Sequence, residues 1–246
     1  MALKLGIVGS PPASFTDLVR GAGLAVVADA ADADLLVCYG GDGSLIGAER
    51  DHPHVPKLGL RRDDSCAKCE RHRDAVVVER LAKGKLPQER LLKLEARCGK
   101  IRLAAMNDVI FRNADPRSAV RFRVSLNGAV VTEEVIGDGV VIATPFGSSA
   151  YFRSITHLTF RAGLGIAFNN CTDFQPHLVV AERDVVSITL TRGPATLASD
   201  NDPRQYPMQT GDVLTVRRAT KPARVLCPDT LRCPDCRYKN APRRRY

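Results

Sequence analysis

Long apolar runs are missing from this chain of 246 residues. The longest uncharged run, Gly139 to Phe152, holds 14 residues and is interrupted by glycine, proline and serine. A helix that crosses a bilayer needs about 20 apolar residues, so none is expected here. The opening residues, Met1 to Val8, read as a β-strand and not as a leader with an apolar core and a cleavage site, which points to the cytoplasm. Acidic residues are in deficit. Against 36 Lys and Arg stand 27 Asp and Glu, and the net charge of +9 favours anionic partners such as nucleotides or polyphosphate. Aromatics are nearly absent from the basic stretch Arg232 to Arg245, where Tyr238 is followed only by Tyr246 at its edge. With no recognition module beside it, that stretch reads as a solvated tail, and a nucleic-acid role is not expected. Material for a core is not lacking: 44% hydrophobic and 26% charged residues describe an ordinary globular chain.

Short apolar runs at residues 5–8, 24–28 and Asp34 to Tyr39 alternate with helix-sized segments, and Val55 to Leu60 offers a fourth strand. Helices are expected from Ser14, over Leu45 to Glu49 and over Arg73 to Lys83. This alternation predicts an α/β N-terminal domain over residues 1–88, built on a parallel sheet. After Pro87 the texture changes. Leu92, Leu94 and Ala96 alternate with charged residues, as do Val120, Phe122, Val124 and Leu126, and Asn127-Gly128 is a strong hairpin signal. Further strands are expected at Val185–Thr191 and Val213–Arg217. Residues 89–221 therefore read as a β-rich, sandwich-like domain.

Gly40-Gly41-Asp42-Gly43-Ser44 separates a buried-type strand from a helix. Glycines permit a sharp turn and close approach of a ligand, and a helix N-terminus offers unpaired N–H groups to phosphate. No Gly-Lys-Ser/Thr follows, so this is not a P-loop, and Ile46 occupies the place of the third glycine in a dinucleotide fingerprint. Asp42 is the unusual member. A carboxylate opposes phosphate unless it accepts a proton from an attacking hydroxyl or holds Mg²⁺. A simple tight turn accommodates the same residues.

Farther on, Gly137-Asp138-Gly139 leads through an apolar strand into Thr144-Pro145-Phe146-Gly147-Ser148-Ser149-Ala150-Tyr151. So many hydroxyls in one turn suggest a loop that binds sugar, amide or phosphate, although each alone fits an ordinary turn. Asn107-Asp108 interrupts an apolar strand, and two such polar groups need a ligand or a hydrogen-bond network.

Taken in order, these segments resemble the NAD kinase family. Its hallmarks are a Gly-Gly-Asp-Gly turn, an Asn-Glu pair, and an Asp-Gly stretch running into Thr-Pro-x-Gly-Ser-Thr-Ala-Tyr. The match spans about residues 5 to 220; the last motif is specific, whereas the first is shared with diacylglycerol kinases and phosphofructokinases. The resemblance implies a site between an α/β domain, rejoined by the tail 222–246, and a β-rich domain. It further implies phosphoryl transfer from ATP or polyphosphate, with Mg²⁺, to the 2′-hydroxyl of the adenosine ribose of NAD. Asp42 would take the hydroxyl proton, with Gly41, Gly43 and Ser44 around it. Asn107 and Asp108 would hold ribose or adenine groups, and Asp138 the nicotinamide side. Thr144, Ser148, Ser149, Ala150 and Tyr151 would line the dinucleotide pocket. Ser199-Asp200 resembles the Ser-Val-Asp-Gly element, so that Asp200 joins the set. A homo-oligomer is implied as well. Departures are Asp108 for glutamate, Ser44 and Ser149 for threonines, Phe152 to Thr156 for a Ser-x-Gly-Gly run, and Asn201 for a glycine.

Cys66-x-x-Cys69 and Cys233-x-x-Cys236 are chelating knuckles, with Cys227 near the second. Four thiolates suit a closed structural Zn²⁺ site, and a fifth leaves a 4Fe–4S cluster as the alternative. Neither belongs to the ordinary family pattern. Cys38, Cys98 and Cys171 are expected to be buried small hydrophobes. Two further readings remain beside the kinase: a dinucleotide-binding regulator without transfer chemistry, and a metal-cluster enzyme that uses the cysteines.

Overall fold

The computed structural model describes residues 2–62 and 69–233; Cys66 and Cys236 lie outside the described residues. The chain divides into two compact units, Met1–Arg90 with Ala223–Tyr246, and Leu91–Pro222.

The first unit is α/β. In chain order it holds β1 (Lys4–Gly9), α1 (Ala13–Gly21), β2 (Ala25–Val27), β3 (Leu35–Gly40), α2 (Asp42–Asp51), β4 (Lys57–Arg61), α3 (Asp74–Ala82) and β5 (Gln88–Leu91). A later strand, Ala223–Leu226, completes its sheet. The strand order is β2, β1, β3, β4, the returning strand, then β5, and every pairing from β2 to the returning strand is parallel. Parallel sheets are covered on both faces, which is why β3 is an almost unbroken apolar run, buried from Leu35 to Tyr39. Phe15 and Val19, four residues apart on α1, pack on Leu5, Val37 and Leu58 together with Val77, Val78 and Leu81 of α3. The Tyr39 hydroxyl donates to Asp74 Oδ2 at 2.8 Å, tying the end of β3 to the start of α3.

Helix α2 begins at Asp42, three residues ahead of the expected start. An acid is favourable in a first turn, where the helix dipole is positive, so the motif residues are themselves helical. The far end of α2 is anchored by a buried ion pair. Lys57 Nζ donates to Glu49 Oε2 and to the His52 carbonyl, both at 2.5 Å, with Lys57 fully buried.

The second unit is a β-sandwich. One sheet contains β6 (Leu94–Cys98), β7 (Ile101–Ala105), β9 (Val120–Leu126), β10 (Ala129–Gly137), β14 (Val186–Arg192) and β17 (Val213–Arg218). The other contains β8 (Asp108–Asn113), β11 (Gly139–Ala143), β12 (Leu164–Asn169), β13 (Leu178–Val180), β15 (Ala195–Ser199) and β16 (Tyr206–Met208). Among the described residues their orders are β10-β9-β14-β17-β6-β7 and β13-β12-β11-β8-β15-β16. Alternation sends Val120, Phe122 and Val124 of one sheet against Val109, Phe111, Val140 and Ile142 of the other. Phe122 meets Phe111 edge-on at 5.3 Å between ring centres. The expected hairpin is present, with Asn127 and Gly128 both at positive φ (51° and 86°), the backbone that a two-residue turn demands. Helix α4 (Tyr151–Thr156) covers the outer face of β11 and β12. The returning strand of the first unit is β18, and α5 (Asp229–Arg232) follows it.

Removing one partner of the buried pair should be costly. Glu49→Ala is expected to lower the unfolding free energy by about 3–5 kcal/mol, while Glu49→Leu combined with Lys57→Met loses far less. Urea unfolding of the three proteins measures the difference.

Candidate active site

In the first unit, β2 flanks β1 on one side and the chain then crosses to β3 on the other. The carboxyl ends of β1 and β3 thus mark a topological switch point, where open parallel sheets form a crevice. Two glycines sit at these ends. A Cβ on Gly9 (φ 101°) would lie 2.0 Å from the Tyr39 carbonyl oxygen, and one on Gly40 (φ 154°) would lie 2.4 Å from Ser44 Oγ. Only glycine permits such strand ends with Ser44 folded back over them. Gly41 is the N-cap of α2, and Gly43 in its first turn is exposed. The Asp42 side chain is about one third exposed, and Arg61 Nη2 stands 3.8 Å from its Oδ1. Arg61 is steered there by its own Nε, which donates to the Leu231 carbonyl at 2.6 Å.

In the second unit, alternation along β8 points Val109 and Phe111 inward and leaves Asp108 on the opposite face, beside Ala143 of β11. Asp200, at φ 50°, reaches the turn before β8. Its Oδ2 accepts from the Met106 N–H at 2.7 Å, and its Oδ1 accepts from the N–H groups of Asn107 and Asp108 at 2.6 and 3.1 Å. From the other side, the Thr144 hydroxyl donates to the Met106 carbonyl at 2.6 Å, and the Thr144 N–H to the Asn107 carbonyl at 2.8 Å. Gly147 is pressed so close that a Cβ would lie 2.0 Å from the Asn107 carbonyl oxygen. Residues 106–108 are therefore held by their backbone, and their side chains remain for other work. The Asn107 side chain is only 8% exposed, and its Oδ1 has no hydrogen-bond partner among the described residues. Burial, with repulsion from the Asp200 carboxylate added, pushes the Asp108 carboxyl up to about 7. Burial also raises Asp200, against the pull of its three N–H donors and of Lys93.

The loop hydroxyls divide by role. Thr144 is fully buried and accepts from the Gly147 N–H, and Ser148 Oγ donates to the carbonyls of Pro145 and Phe160. Both shape the loop from within. Ser149 and Tyr151 are partly exposed and Ala150 is exposed. Asn169 Nδ2 donates to the Tyr151 hydroxyl at 3.4 Å. At the opposite end of β11, the carboxylate of Asp138 accepts from the Asn113 and Asn170 amides at 3.4 and 3.0 Å. Phe152, where the family run departs, is buried under α4 against Phe160.

The cysteines separate as well. Cys69 and Cys233 come together, whereas Cys227 stands apart from them and directs its thiol to Asp229 Oδ1 at 2.8 Å. Burial, then the bond to Asp229, pushes the Cys227 thiol up to about 12, which keeps it protonated. Cys38 and Cys98 are buried, and Cys171 is partly exposed beside Gly137.

Residues 106–227 match the model of the ATP-NAD kinase C-terminal domain. The NAD kinase of Symbiobacterium thermophilum is 30% identical over 213 residues, covering 79% of this chain and 74% of the relative. The NAD kinase of Alcanivorax borkumensis is 30% identical over 211 residues, covering 78% and 68%. This chain belongs to the NAD kinase family. Two solved structures share its fold at 15% identity: an NAD kinase from Archaeoglobus fulgidus in complex with ATP (TM-score 0.77, covering 94% of this chain and 96% of that one) and yeast NADH kinase complexed with NADH (0.75; 92% and 83%). Within this NAD kinase fold, residue patterns alone did not single out Gly9, Arg61, Asn169 or Asn170. Gly9 carried a readable signal, a glycine closing the first strand. Arg61 and the asparagines have no local signature, since their partners are remote in sequence.

The raised Asp108 carboxyl carries a pH signature. The folded protein holds this proton up to about pH 7, whereas the unfolded chain releases it near pH 4. Its contribution to stability is thus complete below pH 4 and lost as pH rises towards 7. Asp108→Asn should flatten the fall in stability across that window, as seen by comparing urea midpoints of the two proteins at pH 5 and pH 8.

Proposed function

We propose that this chain transfers a phosphoryl group from ATP or polyphosphate to the 2′-hydroxyl of the adenosine ribose of NAD. The observation that carries this reading is the placement of Asp42 in the first turn of α2, partly exposed at the switch point and flanked by Gly41 and Gly43. The Asp42 carboxylate takes the proton as the 2′-oxygen attacks the terminal phosphorus of the donor, and the bond from that phosphorus to its bridging oxygen breaks. ADP or a shortened polyphosphate leaves, and the proton remains on Asp42 until solvent removes it. The positive end of the α2 dipole favours the negative charge of the donor phosphates. Mg²⁺ brought with the donor would supply further charge neutralisation, with the Asp42 carboxylate as one group that would meet it. Most of the catalysis is then positioning, which suits a site with few reactive side chains.

The second unit supplies recognition in this reading. Asn107 Oδ1 accepts from an adenine amino group or ribose hydroxyl. Asp108, protonated near neutrality, can donate as well as accept. Asp138 and Tyr151, held by Asn113, Asn170 and Asn169, face the nicotinamide amide, while Ser149 and Ala150 border the pocket. Thr144, Ser148 and Asp200 act by holding the backbone that presents these groups. A cytoplasmic homo-oligomer fits the family resemblance, and the +9 charge fits anionic ligands such as nucleotides. No helix among the described residues is long and apolar enough to cross a membrane. A zinc ion at the cysteine segments belongs to this reading as a structural component, with a 4Fe–4S cluster as the alternative that metal analysis separates.

The test is NADP formation with ATP and with polyphosphate offered separately. Wild-type protein should turn over with at least one donor. Asp42→Asn should lower kcat by about 10²–10⁴-fold while circular dichroism and thermal midpoint stay close to wild type. NAD binding without turnover on either donor overturns the proposal.

A further inference from the structure

Away from Asp42, the first unit gathers metal-ligating atoms from two segments remote in sequence. Cys69 Sγ lies 3.5 Å from Cys233 Sγ and 3.7 Å from His72 Nδ1, and the three donor atoms all fall within 4.8 Å of one another. His72 is 1% exposed and Cys233 2%. Tetrahedral zinc, with Zn–S of about 2.3 Å and Zn–N of about 2.0–2.1 Å, sets neighbouring sulfurs about 3.8 Å apart and sulfur and nitrogen about 3.6 Å apart. The observed spacings therefore suit one ion shared by three donors. A multi-iron cluster spreads its ligands more widely.

The surroundings are those of a metal-binding histidine. His72 Nε2 lies 3.0 Å from Asp229 Oδ2. An ionised carboxylate only accepts, so Nε2 carries the proton and the lone pair of Nδ1 faces the two sulfurs. The second Asp229 oxygen accepts from the Cys227 thiol, which holds the carboxylate from behind. Arg71 Nη2 donates to Cys233 Sγ at 3.1 Å, a cation that favours the thiolate a metal requires.

We propose that Cys69, His72 and Cys233 bind a single structural zinc ion, His72 through Nδ1, with Asp229 as the outer partner that orients the imidazole. The ion fastens α5 to the segment ahead of α3. That fastening reaches Asp42. The Thr230 hydroxyl donates to the Gly59 carbonyl at 2.5 Å, the Leu231 side chain fills the space over Gly59, and the Leu231 carbonyl holds the guanidinium that stands 3.8 Å from the Asp42 carboxylate. Zinc is thus a staple behind the Asp42 carboxylate. Among the described residues an imidazole joins the two thiolates, while Cys66 and Cys236 of the expected set lie outside them.

The full chain, purified without chelator, should carry about one zinc per molecule, and absorption spectroscopy at the zinc edge should show imidazole scattering beside sulfur. His72→Ala should lower zinc occupancy at least tenfold, and Asp229→Asn should weaken zinc affinity about 10–100-fold. Cys171→Ser, in the other unit, should leave occupancy unchanged. Chelation should lower the thermal midpoint of wild type more than that of His72→Ala. An all-sulfur environment, iron with visible absorption, or no zinc uptake by wild type overturns the proposal. These readouts do not depend on turnover, so they stand or fall apart from the kinase reading; where turnover is present, zinc removal should lower kcat.

Discussion

The turn ahead of β8 in the second unit depends on one carboxylate that accepts three successive backbone N–H groups. Asp200 fixes the amides of residues 106–108 while Thr144 fixes the carbonyls of residues 106 and 107. A backbone gripped on both edges cannot re-form its turn to satisfy its own side chains. That is how Asn107 Oδ1 stays buried without a partner among the described residues, and why Asp108 endures a neighbouring carboxylate. Each is unfavourable alone. Both become useful in the presence of a ligand with complementary groups, since the cost of arranging them is met during folding.

The first unit solves a different problem, presenting a carboxylate at a helix head beside two closely packed strand ends. Small residues clear the space: Gly9 and Gly40 let the strand ends and Ser44 close up, and Gly41 and Gly43 leave the head of the helix open. The charge of Asp42 is moderated by helix N–H groups and by Arg61. Arg61 belongs to β4, yet its orientation is set by α5, so the last described segment of the chain tunes the first motif in it.

Legibility followed the range of the interactions. Strands buried on both faces, amphipathic helices and the Asn127-Gly128 hairpin are written in adjacent residues, and they appear where the pattern placed them. The start of α2 was misjudged because glycines normally argue against a helix, whereas here they open one. Strand β18 escaped because four residues, Ala223 to Leu226, carry no periodicity worth reading; their place is decided by the gap between β4 and β5. Motif residues stand out by type, but which of them are spent on holding the backbone does not. Thr144 and Ser149 look alike in sequence, and only the packing shows that the first hydroxyl is spent on Met106. His72 carries no local signature because its partner, Asp229, is far along the chain.

That same strand has a consequence for how the protein is made. β18 lies inside the sheet of the first unit, with β4 on one side and β5 on the other. A growing chain has already released β1 to β5 when the second unit begins to emerge, yet the slot for β18 stays vacant until the whole second unit has been synthesised. The sandwich, continuous in sequence, can close first. The amino-terminal portion must wait with two exposed edges, a template for unwanted pairing that a chaperone or rapid synthesis would have to guard.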